Sequence, residues 1–187
     1  MRTIIVGNGS SLLDNTNGDI INSFDNVVRF NAYTIESFEK HVGTKTTIWF
    51  NTINFQNKND WRVSSPYNQI FLHSWQWDDK KDKLYIDFCS HFRLNNIDTP
   101  ITKTKKQSII EIANYFNIET YKAFSTGIIA IWEMLKMSPT VVITGFDWWD
   151  RNEHHYNDKA CRGTLHKPVI EKQIIDQLID EKRINIL

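Results

Sequence analysis

Short apolar runs rich in β-branched and aromatic residues recur along the chain, at 3–6 (TIIV), 26–30 (NVVRF), 46–50 (TTIWF), 69–73 (QIFLH) and 140–144 (TVVIT). Each is closed by a polar residue or a glycine turn, the pattern of a buried strand. Two longer segments carry helical spacing instead. In 105–118 the apolar residues fall at 109, 110, 112, 113, 116 and 118, and 125–137 repeats the pattern with Ser125 or Thr126 as N-cap candidates. A final amphipathic helix is predicted near 166–182, leading into a last strand at 183–187. The first strand meets Gly7-Asn8-Gly9-Ser10-Ser11 and then Leu12-Leu13, which reads as strand, tight loop and helix start. Strands alternating with helices predict an α/β fold, a single Rossmann-like domain over 1–187 with a largely parallel sheet flanked by helices. The middle, 52–104, is polar and aromatic, and is expected to form loops around shorter elements.

Composition narrows the partners. Lys plus Arg and Asp plus Glu both number 22, so no net field draws a polyanion, and nucleic acid is not expected. Cys89 and Cys161 stand alone, without the pairing of a thiolate zinc site or a disulfide framework, which fits a reducing cytosol. The apolar stretch after Arg2 is four residues long, too short for a leader or an anchor, and nothing else would span a bilayer. The expected location is the cytoplasm, or the periphery of a membrane without an integral segment. Aromatic residues are 13% of the chain, enough for flat side chains to line a cleft for a base or a sugar.

In an open α/β sheet, ligands bind beyond the carboxyl ends of the strands. The residues there are Gly7, Asn8, Gly9, Ser10 and Ser11 after the first strand, Arg29, Phe30 and Asn31 at the second, Asn51 at the third, and Gly145, Phe146 and Asp147 after 140–144. Three strand ends each deliver an Asn, whose amide both donates and accepts, as a nucleotide requires. The first loop lacks the third glycine of the dinucleotide fingerprint and the lysine of a P-loop. It still offers the free N–H groups of a helix start to a phosphate. Ser125-Thr126-Gly127 does the same at a second helix start, where a carboxylate or phosphate fits. Three of the six histidines fall within 154–166: His154, His155 and His166. A base and an acid near neutral pH could both come from this group. Their spacing is neither HExxH nor one helix face, so no metal is expected. Glu171 follows in the last helix, near its start, where a carboxylate is favourable. Asp78-Asp79, the nearest imitation of a DxD pair, reads as a solvated loop.

Taken together, these segments resemble glycosyltransferase family 29, the sialyltransferases. The long motif of that family matches Val6-Gly7-Asn8-Gly9 and Asp25-Asn26-Val27-Val28-Arg29-Phe30-Asn31. Its short motif matches Ser125-Thr126-Gly127 and Thr144-Gly145-Phe146, its third motif His155-Tyr156, and its H-x4-E motif His166 to Glu171. Bacterial family 42 is similar through Gly7-Asn8-Gly9-Ser10-Ser11-Leu12, Asn51 and Gly145-Phe146-Asp147. The resemblance implies a GT-A-like variant of the Rossmann fold and an inverting, metal-independent transfer of sialic acid from CMP-sialic acid to a glycan or lipo-oligosaccharide hydroxyl. It needs no cofactor, the CMP-sugar being a co-substrate. Kdo from CMP-Kdo is the alternative donor sugar, and a non-catalytic nucleotide-binding relative the alternative class.

The resemblance implies His166 as the base and His155 or Tyr156 as partner of the leaving phosphate. Gly7, Asn8, Gly9, Ser10, Asn31, Asn51, Ser125, Thr126, Gly127, Gly145 and Asp147 would hold the donor, with Arg29 and Glu171 in support. The luminal family's disulfide has no counterpart here, in keeping with a cytosolic expectation. A short chain implies a reduced acceptor lid, and a homo-oligomer is left open.

Overall fold

The computed structural model describes residues 1–53, 66–74, 78–95, 98–104, 106–119, 124–148, 155–156 and 167–187. Its strands are Thr3–Val6 (β1), Asn26–Phe30 (β2), Ile48–Thr52 (β3), Gln69–His73 (β4), Ile101–Lys103 (β5), Val141–Thr144 (β6) and Ile184–Ile186 (β7). They form one sheet in the order β5-β4-β3-β2-β1-β6-β7, with every neighbouring pair parallel. The predicted α/β class and parallel sheet are what the chain adopts. The helices are Gly18–Asn22 (α1), Glu39–Val42 (α2), Asp79–Leu94 (α3), Lys106–Tyr115 (α4), Thr126–Met137 (α5) and Pro168–Asp180 (α6).

Side chains alternate across a strand, so each strand serves two layers. Val28, Phe30, Ile48, Phe50 and Phe71 pack with the buried faces of α4, α5 and α6. Trp49, Ile70 and Leu72 turn to the other side and meet α3. Ile4, Val6 and Val27 pack there with Ile21 of α1 and Val42 of α2. Helix α5 is nearly apolar all round because it is buried, with Ile128, Ile129, Ala130, Ile131, Met134 and Leu135 inside.

The stretch expected to be loops around shorter elements contains α3, a helix of 16 residues. Its surface is mostly charged, so the apolar signal is thin: Leu84, Phe88 and Phe92, four apart, are the buried positions. Each contributes about 1.5–3 kcal/mol by burial, enough to dock a polar helix. Asp78, read as a solvated loop, is its N-cap, with Oδ1 accepting from Lys81 N at 2.9 Å.

The chain lays down β1 to β5 in one direction and then returns past β1 to add β6 and β7. The reversal falls between β1 and β6, and a crevice opens beyond the carboxyl ends of the strands at such a point.

Candidate active site

The loops after β1 and β6 meet at that crevice as one seam. Gly7 N donates to Thr144 O at 2.8 Å and Gly9 N to Gly145 O at 2.9 Å. A Cβ on Gly7 would fall 2.1 Å from Gly145 O. Gly145 adopts φ +71° and lies against Leu12, 2.7 Å from where its own Cβ would stand, so neither position accepts a side chain. Beyond the seam, Asp147 Oδ2 accepts from Ser11 N at 3.0 Å and from Ser10 Oγ at 3.4 Å. Ser10–Asp14 is a short 3₁₀ turn. The N-terminal amide of that turn, expected to meet a phosphate, is answered by the protein's own carboxylate.

A second carboxylate stands at the other turn. Glu171, on α6 and 3% exposed, accepts from Ser125 N through Oε1 at 2.7 Å. Ser125 Oγ accepts from Ile128 N at 3.3 Å, the expected N-cap. Two amides of the first turn remain: Thr126 N and Gly127 N have no protein acceptor among the described residues. The anion position expected at Ser125-Thr126-Gly127 therefore narrows to those two N–H groups.

Asn31 leaves β2 in the left-handed region, φ 45°, which Asn tolerates better than most residues. Its N–H donates to Phe50 O at 2.8 Å, its carbonyl accepts from Trp49 Nε1 at 3.0 Å, and its Oδ1 accepts from Thr52 N at 2.8 Å. Thr52 Oγ1 lies 2.7 Å from Thr126 Oγ1, tying β3 to the start of α5.

Among the residues predicted for the site, Gly7, Asn8, Gly9, Asn31, Ser125, Thr126, Gly127, Gly145, Asp147, His155 and Glu171 line one cleft. Phe30, Phe146, Trp148 and Pro168 complete the lining. Phe146 and Trp148 are stacked with centroids 5.5 Å apart, and Phe30 meets Phe146 edge-on at 6.0 Å. The aromatic content had pointed to flat side chains in a cleft without saying which. The Gly-Phe-Asp turn at 145–147, followed by Trp148, was the available signal.

Four predicted residues stand elsewhere. Arg29, two residues before Asn31, is buried on the opposite face because Asn31 has left the strand's alternation. Its Nε donates to Thr46 Oγ1 at 3.0 Å and its Nη2 donates to the carbonyls of Val42 and Gly43, so it fastens β2 to the turn before β3. Asn51 is not part of the cleft lining. Its neighbour Thr52 is the strand residue wired to the site, since successive side chains take opposite faces. Ser10 sits behind the cleft on Asp147. Tyr156 is buried, its hydroxyl accepting from Thr34 N at 3.0 Å and donating to Thr34 O, while its N–H donates to Asn8 O at 2.9 Å. It anchors His155 rather than reaching the cleft. His166, with His154 and Cys161, lies outside the described residues. Cys89, on α3, is a free thiol.

Beside Thr52 in register stands His73, at the end of β4. Its Nδ1 lies 2.8 Å from Thr104 Oγ1, and its Nε2 is buried without a partner. Burial lowers its pKa to about 4, so it is neutral at physiological pH.

A parallel sheet with a cleft of amides, aromatic faces and open helix-start N–H groups defines an α/β protein built to hold a small polar ligand. The chain belongs to glycosyltransferase family 29 (sialyltransferase), whose profile matches residues 1–183. It is 26% identical over 221 aligned residues to the lactosylceramide alpha-2,3-sialyltransferase of Rattus norvegicus, covering 96% of this chain and 54% of that protein. With the beta-galactoside alpha-2,6-sialyltransferase 2 of Xenopus tropicalis it shares 28% over 210 residues, 98% of this chain and 40% of that one. A crystal structure of a mammalian sialyltransferase superposes with a TM-score of 0.73 at 21% identity, over 100% of this chain and 68% of the other, a likeness of fold. The chain spans about half the length of the curated relatives it matches.

These relatives correct the expected cytoplasmic location, because animal sialyltransferases are Golgi lumenal. The expectation rested on unpaired cysteines and on a chain start without a leader. A sequence that spans about half of its relatives carries no information about what precedes it. No described helix is long and apolar enough to cross a membrane.

Proposed function

We propose that this chain transfers sialic acid from CMP-sialic acid to a hydroxyl of a galactose-ended glycan. One observation carries the reading: segments matching all four family motifs, Gly7–Gly9 with Asn31, Ser125–Gly127, His155 and Glu171, line a single cleft at the reversal of the sheet. The family 29 match supports the donor, and the resemblance to family 42 adds nothing to it. The reaction is a single inverting displacement without a metal. His166 takes the proton of the acceptor hydroxyl, whose oxygen attacks C2 of the sugar as the C2–O bond to the phosphate of CMP breaks. His155 donates to the phosphate as charge grows there, a preorganised donor. Thr126 N and Gly127 N face the donor's carboxylate or phosphate, and the Phe146–Trp148 stack supplies a flat wall for the base or the sugar.

The test is CMP release and glycan labelling from CMP-sialic acid with lactosyl and other galactosyl acceptors. Transfer is expected to survive EDTA. His166→Ala is expected to lose about 10²–10⁴ of the rate, the usual worth of a general base, while keeping CMP affinity. Undiminished transfer in that variant removes the base assignment, and a wild-type chain that neither binds CMP nor labels any acceptor removes the reading.

A further inference from the structure

Asn31 has three of its four polar groups committed within the protein, and how they are committed sets what it can offer a ligand. Its backbone N–H and C=O are taken by Phe50 O and Trp49 Nε1. Its side chain meets Thr52 N at 2.8 Å. A backbone N–H only donates, so the atom facing it is the amide oxygen, and this fixes the orientation of the amide. The remaining group, Nδ2, has no protein partner among the described residues, and Asn31 lines the cleft. The same Thr52 holds the hydroxyl of Thr126, another lining residue, at 2.7 Å.

We propose that Thr52 is a positioning residue of this site, and that by turning Asn31 it makes this wall of the cleft donor-only. Such a wall recognises acceptor oxygens, those of a phosphate or a carboxylate or the carbonyl of a pyrimidine, and disfavours a ligand N–H at that place. Thr126 N and Gly127 N lie on the same cleft and have the same polarity, so the donor groups of β2 and α5 converge on one electron-rich part of the ligand. Thr52 itself does not line the cleft. It acts through Asn31 and Thr126.

The choice of CMP as probe rests on the function proposed above. Asn31→Asp keeps an oxygen for Thr52 N and tolerates the same backbone, but turns a carboxylate oxygen to the ligand in place of Nδ2. Calorimetry with CMP and with cytidine is expected to show at least a tenfold loss of CMP affinity. A loss for CMP alone assigns the contact to the phosphate, and an equal loss for cytidine assigns it to the nucleoside; unchanged CMP affinity overturns the donor-only wall. Thr52→Val removes only the hydroxyl, and is expected to raise the donor KM about three- to tenfold with kcat much less affected, with Thr52→Ser restoring it. Thr52→Val keeps Thr52 N on Asn31, so an unaltered KM in that variant overturns the positioning of Thr126 by the Thr52 hydroxyl, whereas the hold on Asn31 is read at Thr52 N itself. Should the wild type bind no CMP, the functional reading fails separately. The Asn31 arrangement is then read without ligand by hydrogen exchange at Thr52 N, slow in the wild type and in Asn31→Asp but fast in Asn31→Ala. Equal rates in wild type and Asn31→Ala overturn it.

Discussion

Two turns flank the cleft, and both read from the sequence as anion sites, yet the fold treats them differently. At the first, after β1, main chain is bonded to main chain and glycine is pressed on backbone, with Asp147 added at the edge. At the second, before α5, the buried carboxylate of Glu171 takes one amide and leaves two open. A sequence shows where N–H groups become free, but not which distant side chain answers them. Asp147 and Glu171 lie 136 and 46 residues from the amides they accept, and a hydrogen bond of that span leaves no local signature.

The comparison can be broken from either side. Gly7→Ala forces a methyl against Gly145 O, so it is expected to cost about 3 kcal/mol or more, the upper range for overpacking, seen as a lowered urea midpoint. Acid probes the wall beyond both turns. The fold holds His73 neutral, so the unfolded chain binds the extra proton between its ordinary pKa of 6.5 and the lowered value of about 4. Stability is therefore present above that window and declines as pH falls through it, by about 3 kcal/mol at roughly 1.4 kcal/mol per unit. His73→Asn is expected to flatten the slope, and an equal slope in that variant removes the assignment.

Glu171→Ala leaves the part-buried Ser125 N without its acceptor and is expected to cost about 2 kcal/mol. Glu171→Gln, which keeps an oxygen, should recover most of this in the same denaturation assay. Asp147→Ala is expected to cost about 1 kcal/mol, since the seam behind it remains, and Asp147→Asn should stay near wild type. If Asp147→Ala proves as costly as Glu171→Ala, the first turn depends on its carboxylate as much as the second does.

Where a signal is local, the sequence carried it. The strands at 3–6, 26–30, 69–73 and 140–144 announce themselves by apolar runs, and α5 by its spacing and the Ser125 cap. Helix α3 was hidden because one stripe of Leu84, Phe88 and Phe92 is nearly silent among charges; the Asp78 cap was the remaining cue. Within the site, glycines and helix starts were readable, and side-chain direction was not. Asn51 stands out in the sequence as an Asn at a strand end, yet Thr52, one position on, is the residue tied to the site, because a single position decides the face. Arg29 and Asn31 share a face in an ideal strand, and the φ of Asn31 undoes that. Tyr156 has the composition of a reactive group, but its hydroxyl is spent on Thr34.

The seam between the loops after β1 and β6 also has a consequence in time. Gly7 and Gly9 are made well before their partners Thr144 and Gly145, and Ser10 and Ser11 well before Asp147. A chain emerging from the ribosome can pair β1 with β2, and β2 with β3, early, but it has no cleft until β6 inserts on the far side of β1. Ligand can therefore stabilise only a chain that has been made past β6, and stalled or truncated products ending before residue 144 will be blind to it.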